Sequence, residues 1–390
     1  MTGRGTLLPS AAPERTTGAG QDFNGKLAGA TFRLRTAATG VAAYARVHLA
    51  ALARPALAAP NVEVTLRWHE GQPPRDRMAV FPHLAGMERI DRDLYVRPGE
   101  LHWFRVDDLR DLYLRFRWQD RQLTVEGDFF YRVAHDARRD WAKRLLYRKR
   151  VAARRRQRFI TLLYYLVYYP CWWWLEQNQD LHPIHAAGVD STGGVILLAG
   201  ASGVGKSTLA VALAMLSGGR MLSDSFVLHN EADVMPVREP VLLDAWSRRW
   251  LGTHADELQA IDWRYCLNRH GYQVPPRRLS EGGRATLLIF PRRSPEAFVK
   301  RIPAEEAHQR LSAADLIVND LRRYWAFAGI VEQMVPAGMM ARRESHLAKL
   351  TAEVPCYEVG LPPTMTRAAA TQSLMRLIAD TPLRVVGTRP

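Results

Sequence analysis

The sequence predicts an α/β chain in which a nucleotide-binding core, built round a phosphate-cradling loop, follows a strand-rich N-terminal domain. Three observations carry this. Residues 200–208 read Gly-Ala-Ser-Gly-Val-Gly-Lys-Ser-Thr, a complete G-x-x-x-x-G-K-[ST] loop. A continuous apolar run, Val195 to Ala199, leads into it, and a helix-forming stretch leaves it. Between Phe23 and Asp136, apolar residues recur at every second position, the period of half-buried strands.

Taken in order, residues 1–22 mix Gly, Ala, Pro, Ser and Thr with charge, lack a signal-peptide apolar run, and predict a disordered tail. Residues 23–136 form the strand-rich domain. In it Val62, Val64, Leu66 and Trp68 alternate with polar residues, as do Leu112, Leu114, Phe116 and Trp118, and a run from Leu123 to Phe129 closes a hairpin. Alanines and leucines from Ala37 to Ala58 predict one helix. Residues 137–179 are a helical connector, first basic and then aromatic, and residues 180–390 form the nucleotide-binding domain.

Within that last domain the loop helix runs from near Lys206 to Gly218-Gly219. Met221 to Leu228 predicts a strand with Asp224 near its middle, and Ala285 to Phe290 another, closed by Pro291. Residues 241–284 show no clean period and predict mixed helix and loop. Helices are expected over Ala304 to Gln333 in two pieces, Ser345 to Thr351 and Arg367 to Asp380, with a strand at Cys356 to Val359.

The chain has 390 residues, enough for two cores, and a formal charge of +15. From Arg138 to Arg158 eleven Lys or Arg stand against the single acid Asp140, so this segment supplies most of the excess. The segment reads either as a solvated helix whose narrow apolar edge of Trp141, Leu145 and Leu146 can pack on its own protein, or as a contact for an acidic partner, nucleic acid or anionic lipid. No recognised nucleic-acid motif accompanies it. Phe159 to Leu175 is uncharged and dense in aromatics, yet short of the roughly 20 apolar residues of a span and interrupted by Pro170. A buried helix is expected there, with an interfacial one as the alternative. Three well-separated cysteines give neither a disulfide framework nor a zinc pattern and fit a reducing cytoplasm.

The loop assigns its own chemistry. Glycines let the backbone amides of Gly200, Ala201, Ser202, Gly203, Val204 and Gly205 turn inward on phosphate oxygens, reinforced by the helix dipole. Lys206 reaches the phosphates as a point charge, Ser207 places a hydroxyl on Mg²⁺, and Thr208 follows. The expected ligands are ATP and Mg²⁺. Asp224 can bring a carboxylate to the metal and to an acceptor hydroxyl, and His185 stands just ahead of the loop strand. Arg238-Glu239-Pro240 and Arg292-Arg293 are as well explained by surface solubility as by substrate contact, and stay outside the site.

The stretch HAAGVDSTGGVILLAGASGVGKSTLAVALAMLSGGRMLSDSFVLHN resembles the catalytic core of the HPr kinase/phosphorylase family, with looser similarity through ATLLIFPRR and VPCYEV. The resemblance implies a P-loop kinase core of HPr-kinase type. It implies that His185, Lys206, Ser207 and Asp224 form the active site and that the γ-phosphoryl group of ATP passes to a hydroxyl, a serine of a protein or peptide. It also implies a tendency to form homo-oligomers. One departure stands out: enzymes acting on HPr usually carry two adjacent aspartates, whereas this chain has Asp224-Ser225, and their C-terminal signature helix is missing. HPr itself is therefore not the expected acceptor. The alternative is a regulatory module or slow ATPase that binds nucleotide and docks a partner without phosphoryl transfer.

Overall fold

The computed structural model describes residues 21–380, apart from 57, 75–83, 107–108, 135–136, 217, 267–268 and 336–337. Residues 1–20 of the expected tail lie outside the described residues. Gln21 and Asp22, assigned to that tail, instead open the first strand, where Asp22 faces Arg35 across the ladder and pairs with it at 3.4 Å. The protein is mixed α/β, with helices set against several mixed sheets.

Eight strands make the first sheet: Gln21–Leu27 (β1), Ala30–Thr36 (β2), Val62–Glu70 (β3), Glu88–Asp91 (β4), Leu94–Arg97 (β5), Glu100–Val106 (β6), Leu109–Gln119 (β7) and Gln122–Tyr131 (β8). Their order is β1-β2-β3-β8-β7-β6-β5-β4. The expected hairpin is β7–β8, and its two-residue turn, Asp120-Arg121, has positive φ at both residues. That geometry matches the twist of the flanking strands. The expected helix at 37–58 is shorter, Thr39–His48 followed by a 3₁₀ turn at Ala50–Leu52. Alanine favours helix, but Pro55 and Pro60 bar its continuation.

The connector forms helices Ala137–Leu146, Arg148–Leu163 and Tyr169–Gln179, the last two joined by a π-helical turn at Tyr164–Tyr168. Pro170 falls in the first turn of the aromatic helix (Tyr169–Gln179), where a missing N–H costs little. This helix lies on the inner face of the first sheet. Trp118 meets Trp173 edge-on at 5.1 Å, and a Cβ at Gly127 would lie 3.0 Å from Leu166 of the π-helical turn, so glycine eases the close packing there. One core therefore joins the alternating apolar residues of β3, β7 and β8 to the connector aromatics and to helix Asn319–Val331. No helix among the described residues is long and apolar enough to cross a membrane. The basic helix departs from expectation: Trp141, Leu145 and Leu146 are exposed rather than packed on the protein.

The second sheet contains His182–Ile184 (β9), Ala186–Ser191 (β10), Gly194–Ala199 (β11), Arg220–Ser223 (β12), Val227–Asn230 (β13) and Asp233–Pro236 (β14). A small separate sheet of Val241–Asp244 (β15), Gln259–Cys266 (β16) and Arg269–Gln273 (β17) occupies the segment where mixed helix and loop were expected. Bulges in the β16–β17 register blur the two-residue period, which hid the strands. Gly283–Arg293 (β18), Phe298–Arg301 (β19) and Cys356–Leu361 (β20) complete the second sheet. β18 runs on through Pro291, which was expected to end it; beyond Ile289 only β20 accompanies it, so a residue without an N–H is tolerated on the free side.

β11 explains its own composition. Ile196 and Leu198 face one core, shared with the loop helix (Lys206–Leu216), while Val195, Leu197 and Ala199 face another, shared with helices Ala304–Ile317 and Met339–Glu353. A strand buried on both faces has no position left for a polar residue. Its C-terminal end delivers the chain to Gly200.

Candidate functional site

Three glycines of the loop have positive φ: 123° at Gly200, 84° at Gly203 and 101° at Gly205. A Cβ at any of the three would meet open space, so glycine serves the backbone rotation and not a close approach. Among the described residues, no N–H from Ala201 to Gly205 donates to another backbone group. These amides and the first turn of the loop helix make an electropositive concavity suited to an anion.

Lys206 is buried at the floor of the site, and its Nζ donates to the carbonyls of Gly200 (2.7 Å) and Ala201 (3.0 Å). Burial pushes its ammonium down to about 8, against the pull of Asp224 and Asp315. A cation so placed is held loosely, by carbonyls that a phosphate oxygen can replace.

Asp224 does not sit within a strand, as expected, but in the bend between β12 and β13. Ser223, which ends β12 opposite Gly188, has its hydroxyl clasped to a neighbouring segment: it accepts from Val237 N at 2.8 Å and donates to Val237 O at 2.9 Å. The bend turns the Asp224 carboxyl toward the loop. Its Oδ2 accepts from Leu242 N at 3.2 Å, while its buried Oδ1 has no partner. Burial raises its affinity for a proton; the Ser207 hydroxyl, the Leu242 N–H and the charges of Arg269 and Lys206 oppose this.

His185 is buried beside Phe226, ring to ring at 5.6 Å. Its backbone N–H donates to Asp315 Oδ1 at 2.7 Å, and neither ring nitrogen has a hydrogen-bond partner. Burial, then the charge of Lys206, pushes the imidazole down to about 3; the nearby Ser225 backbone pulls the other way without making a bond of normal geometry. The ring is neutral at physiological pH.

Four predicted loop residues, Ser202, Gly203, Gly205 and Ser207, join Lys206 and Thr208 in lining a cavity of about 490 Å³ with His185 and Asp224. Gly200, Ala201 and Val204 do not line it; the first two serve through their carbonyls. Thr208 is turned aside, its hydroxyl donating to Ser247 Oγ at 3.0 Å, which ties the loop helix to helix Ala245–Leu251.

Sequence reasoning missed three charged groups around the loop. Asp315 is buried in helix Ala304–Ile317 and pushed up to about 8 by burial, despite the His185 N–H and Lys206. One signal for it exists: Ala307, Leu311 and Ala314 mark the buried face, and Asp315 lies four residues after Leu311 on that face. Glu239, set outside the site as surface, is partly buried, lines the cavity and accepts from Tyr164 Oη at 2.6 Å. Burial raises it to about 8, Tyr164 opposing and Asp320 and Asp224 adding. Arg293, also set outside, lines the cavity and reaches Gly203 O at 3.3 Å. No sequence spacing connects these residues to the loop.

No protein-family model matches the chain, and no curated protein matches it.

Proposed function

We propose that the chain is an ATP-dependent phosphotransferase with a P-loop core of HPr-kinase type, acting on a hydroxyl, most simply a serine of a protein or peptide other than HPr. The observation that supports it is the convergence of Lys206, Ser207 and Asp224 beneath a loop of unpartnered amides, in a cavity whose volume falls in the range of small-molecule sites. The loop amides and Lys206 hold the triphosphate. Asp224, with an unpartnered buried oxygen, and the Ser207 hydroxyl fit a Mg²⁺ ion, which when bound neutralises charge on the phosphates.

In the transfer, the acceptor oxygen forms a bond to the γ-phosphorus as the bridging P–O bond breaks, ADP departs, and the hydroxyl proton passes to a carboxylate, Asp224 in this reading. His185, neutral and facing the same cavity, is a supporting donor. The missing second aspartate at Ser225 keeps a second reading alive, in which nucleotide only switches a docking surface. Calorimetry with Mg²⁺-ATP, followed by transfer of labelled γ-phosphate to candidate acceptors, distinguishes them: uptake with labelled acceptor supports the kinase, uptake without label supports the switch. Lys206→Ala is expected to abolish turnover while leaving the protein folded. Unchanged ATP consumption in that variant, or no nucleotide uptake by the wild type, defeats the proposal.

A further inference from the structure

Away from the loop, three chain segments bring metal-ligating groups together. Asp180 ends the aromatic helix in a left-handed conformation, His182 opens β9, and His346 projects from helix Met339–Glu353. One donor atom from each lies within 4.8 Å of the other two, and the two imidazole rings are 4.8 Å apart at their centroids. It is the one such grouping of His, Cys, Asp or Glu among the described residues.

The tautomer of His182 is set by its surroundings. Its Nδ1 lies 2.9 Å from Glu176 Oε1, and Glu176 is a fully buried carboxylate kept ionised by the Arg343 guanidinium. A carboxylate only accepts, so Nδ1 is the donor and Nε2 carries a lone pair. That Nε2 is buried and has no hydrogen-bond partner, in a residue 1 % exposed. The buried Nδ1 of His346 has no partner either. Two unpartnered imidazole nitrogens in contact range, one of them oriented by a carboxylate behind it, are the arrangement that surrounds protein-bound zinc.

We infer that Asp180, His182 and His346 form a binding site for a divalent transition-metal ion of the zinc type, with Glu176 as the outer-shell partner of His182. A tetrahedral ion at about 2.0–2.2 Å from each ligand sets the ligand atoms about 3.4 Å apart, so closure asks only a small rotamer shift of the half-exposed Asp180 and His346. Arg342 holds Asp180 Oδ1 at 3.0 Å, and the other carboxylate oxygen is the ligand. Imidazole with one carboxylate selects zinc, cobalt, nickel or copper over magnesium or calcium. Bound there, the ion ties the end of the aromatic helix, β9 and helix Met339–Glu353 at one point. β9 leads directly into His185, so the ion braces the strand that carries it.

The test uses the full chain, stripped with chelator, and Zn²⁺ or Co²⁺ alone as probe. Expected are one zinc per chain by calorimetry, a raised melting temperature, and a visible absorption band on Co²⁺ loading typical of four-coordinate nitrogen and oxygen ligands. His346→Ala and Asp180→Asn, both at half-exposed positions, are expected to weaken zinc binding by more than about tenfold, as losing even an outer-shell partner does. Lys206→Ala is expected to bind zinc as the wild type does, which keeps this result separate from that of the nucleotide site. No zinc uptake by the folded wild type overturns the inference. So does uptake that survives both ligand substitutions.

Discussion

Two clusters of charge, one bonded to His182 at the start of β9 and one around the loop beyond its end, respond to burial in opposite ways. Behind the strand, Glu176 has no exposure, yet Arg343, His182 and Tyr324 all bond to its carboxylate. Burial alone would make it hold its proton; the Arg343 charge and these bonds override that and bring it down to about 2. Around the loop, Asp315 is buried and Glu239 partly so, neither has a bonded cation, and both rise to about 8. The difference teaches that burial does not fix protonation; the number of donors aimed at the carboxylate does. A finished network is structural. An unfinished one, with Asp224 Oδ1 and the His185 ring also unpartnered, leaves groups free to meet a ligand.

The largest expected effect comes from breaking the finished network. Glu176→Gln leaves Arg343, nearly buried, without a counter-charge, and is expected to lower stability by about 3–5 kcal/mol. Asp315→Asn replaces a carboxyl that burial keeps protonated near neutral pH, breaks no ion pair, and is expected to cause no loss greater than about 1 kcal/mol and to gain on wild type as pH rises. Urea unfolding of the two variants measures both. Equal losses would erase the distinction between the clusters.

Spread over several pH units, and opposite in sign between the clusters, is the response to pH. Asp315 and Glu239 have folded-state values raised above their usual 3.8 and 4.5, so between those values and about 8 the folded chain binds more protons than the unfolded one. Their contribution is fully present below the unfolded values and is lost as pH rises through about 8, by at most roughly 1.4 kcal/mol per pH unit for each group. Glu176 runs the other way: its contribution is present above 4.5 and is lost as pH falls toward about 2. Between about pH 5 and 7.5 the wild-type urea midpoint should therefore fall relative to those of Asp315→Asn and Glu239→Gln, whatever slope the buried histidines add to all three. A slope identical in wild type and both variants would show that neither carboxyl holds its proton in the folded chain.

Legibility in the sequence followed the range of the interactions. The loop, its strand and its helix were readable because they are contiguous: glycine rotation, apolar continuity and the helix start all fall between Val195 and Leu216. The β7–β8 hairpin was readable for the same reason. Asp315 and Glu239 were not, because what buries them is tertiary; Glu239 reads as an ordinary acid between Arg238 and Pro240 until Tyr164, 75 residues earlier, is placed against it. The end of β12 before Asp224 was hidden because the contact beside it is tertiary: Ser223 looks like any strand residue until its hydroxyl is seen clasping Val237. The outer position of Trp141 and Leu146 was misjudged because periodicity shows that a helix has an apolar edge but not whether anything covers it.

The smallest effect probes a single bond of the unfinished cluster. Tyr164 comes from the π-helical turn, and its hydroxyl donates to Glu239 Oε1, a bond that favours the charged carboxylate and so opposes the upward shift. Tyr164→Phe removes that donor without altering the ring packing against Tyr168 and Tyr169. A loss of about 1 kcal/mol is expected, the usual net worth of one hydrogen bond. The sharper readout is the pH curve. With the donor gone, the upper end of the falling limb should move to higher pH in Tyr164→Phe, and the move should vanish when Glu239→Gln is added. A shift that persists in the double variant would mean that another carboxyl, such as Asp315, dominates the titration, and that Glu239 belongs with the fixed groups rather than with those poised in the cavity.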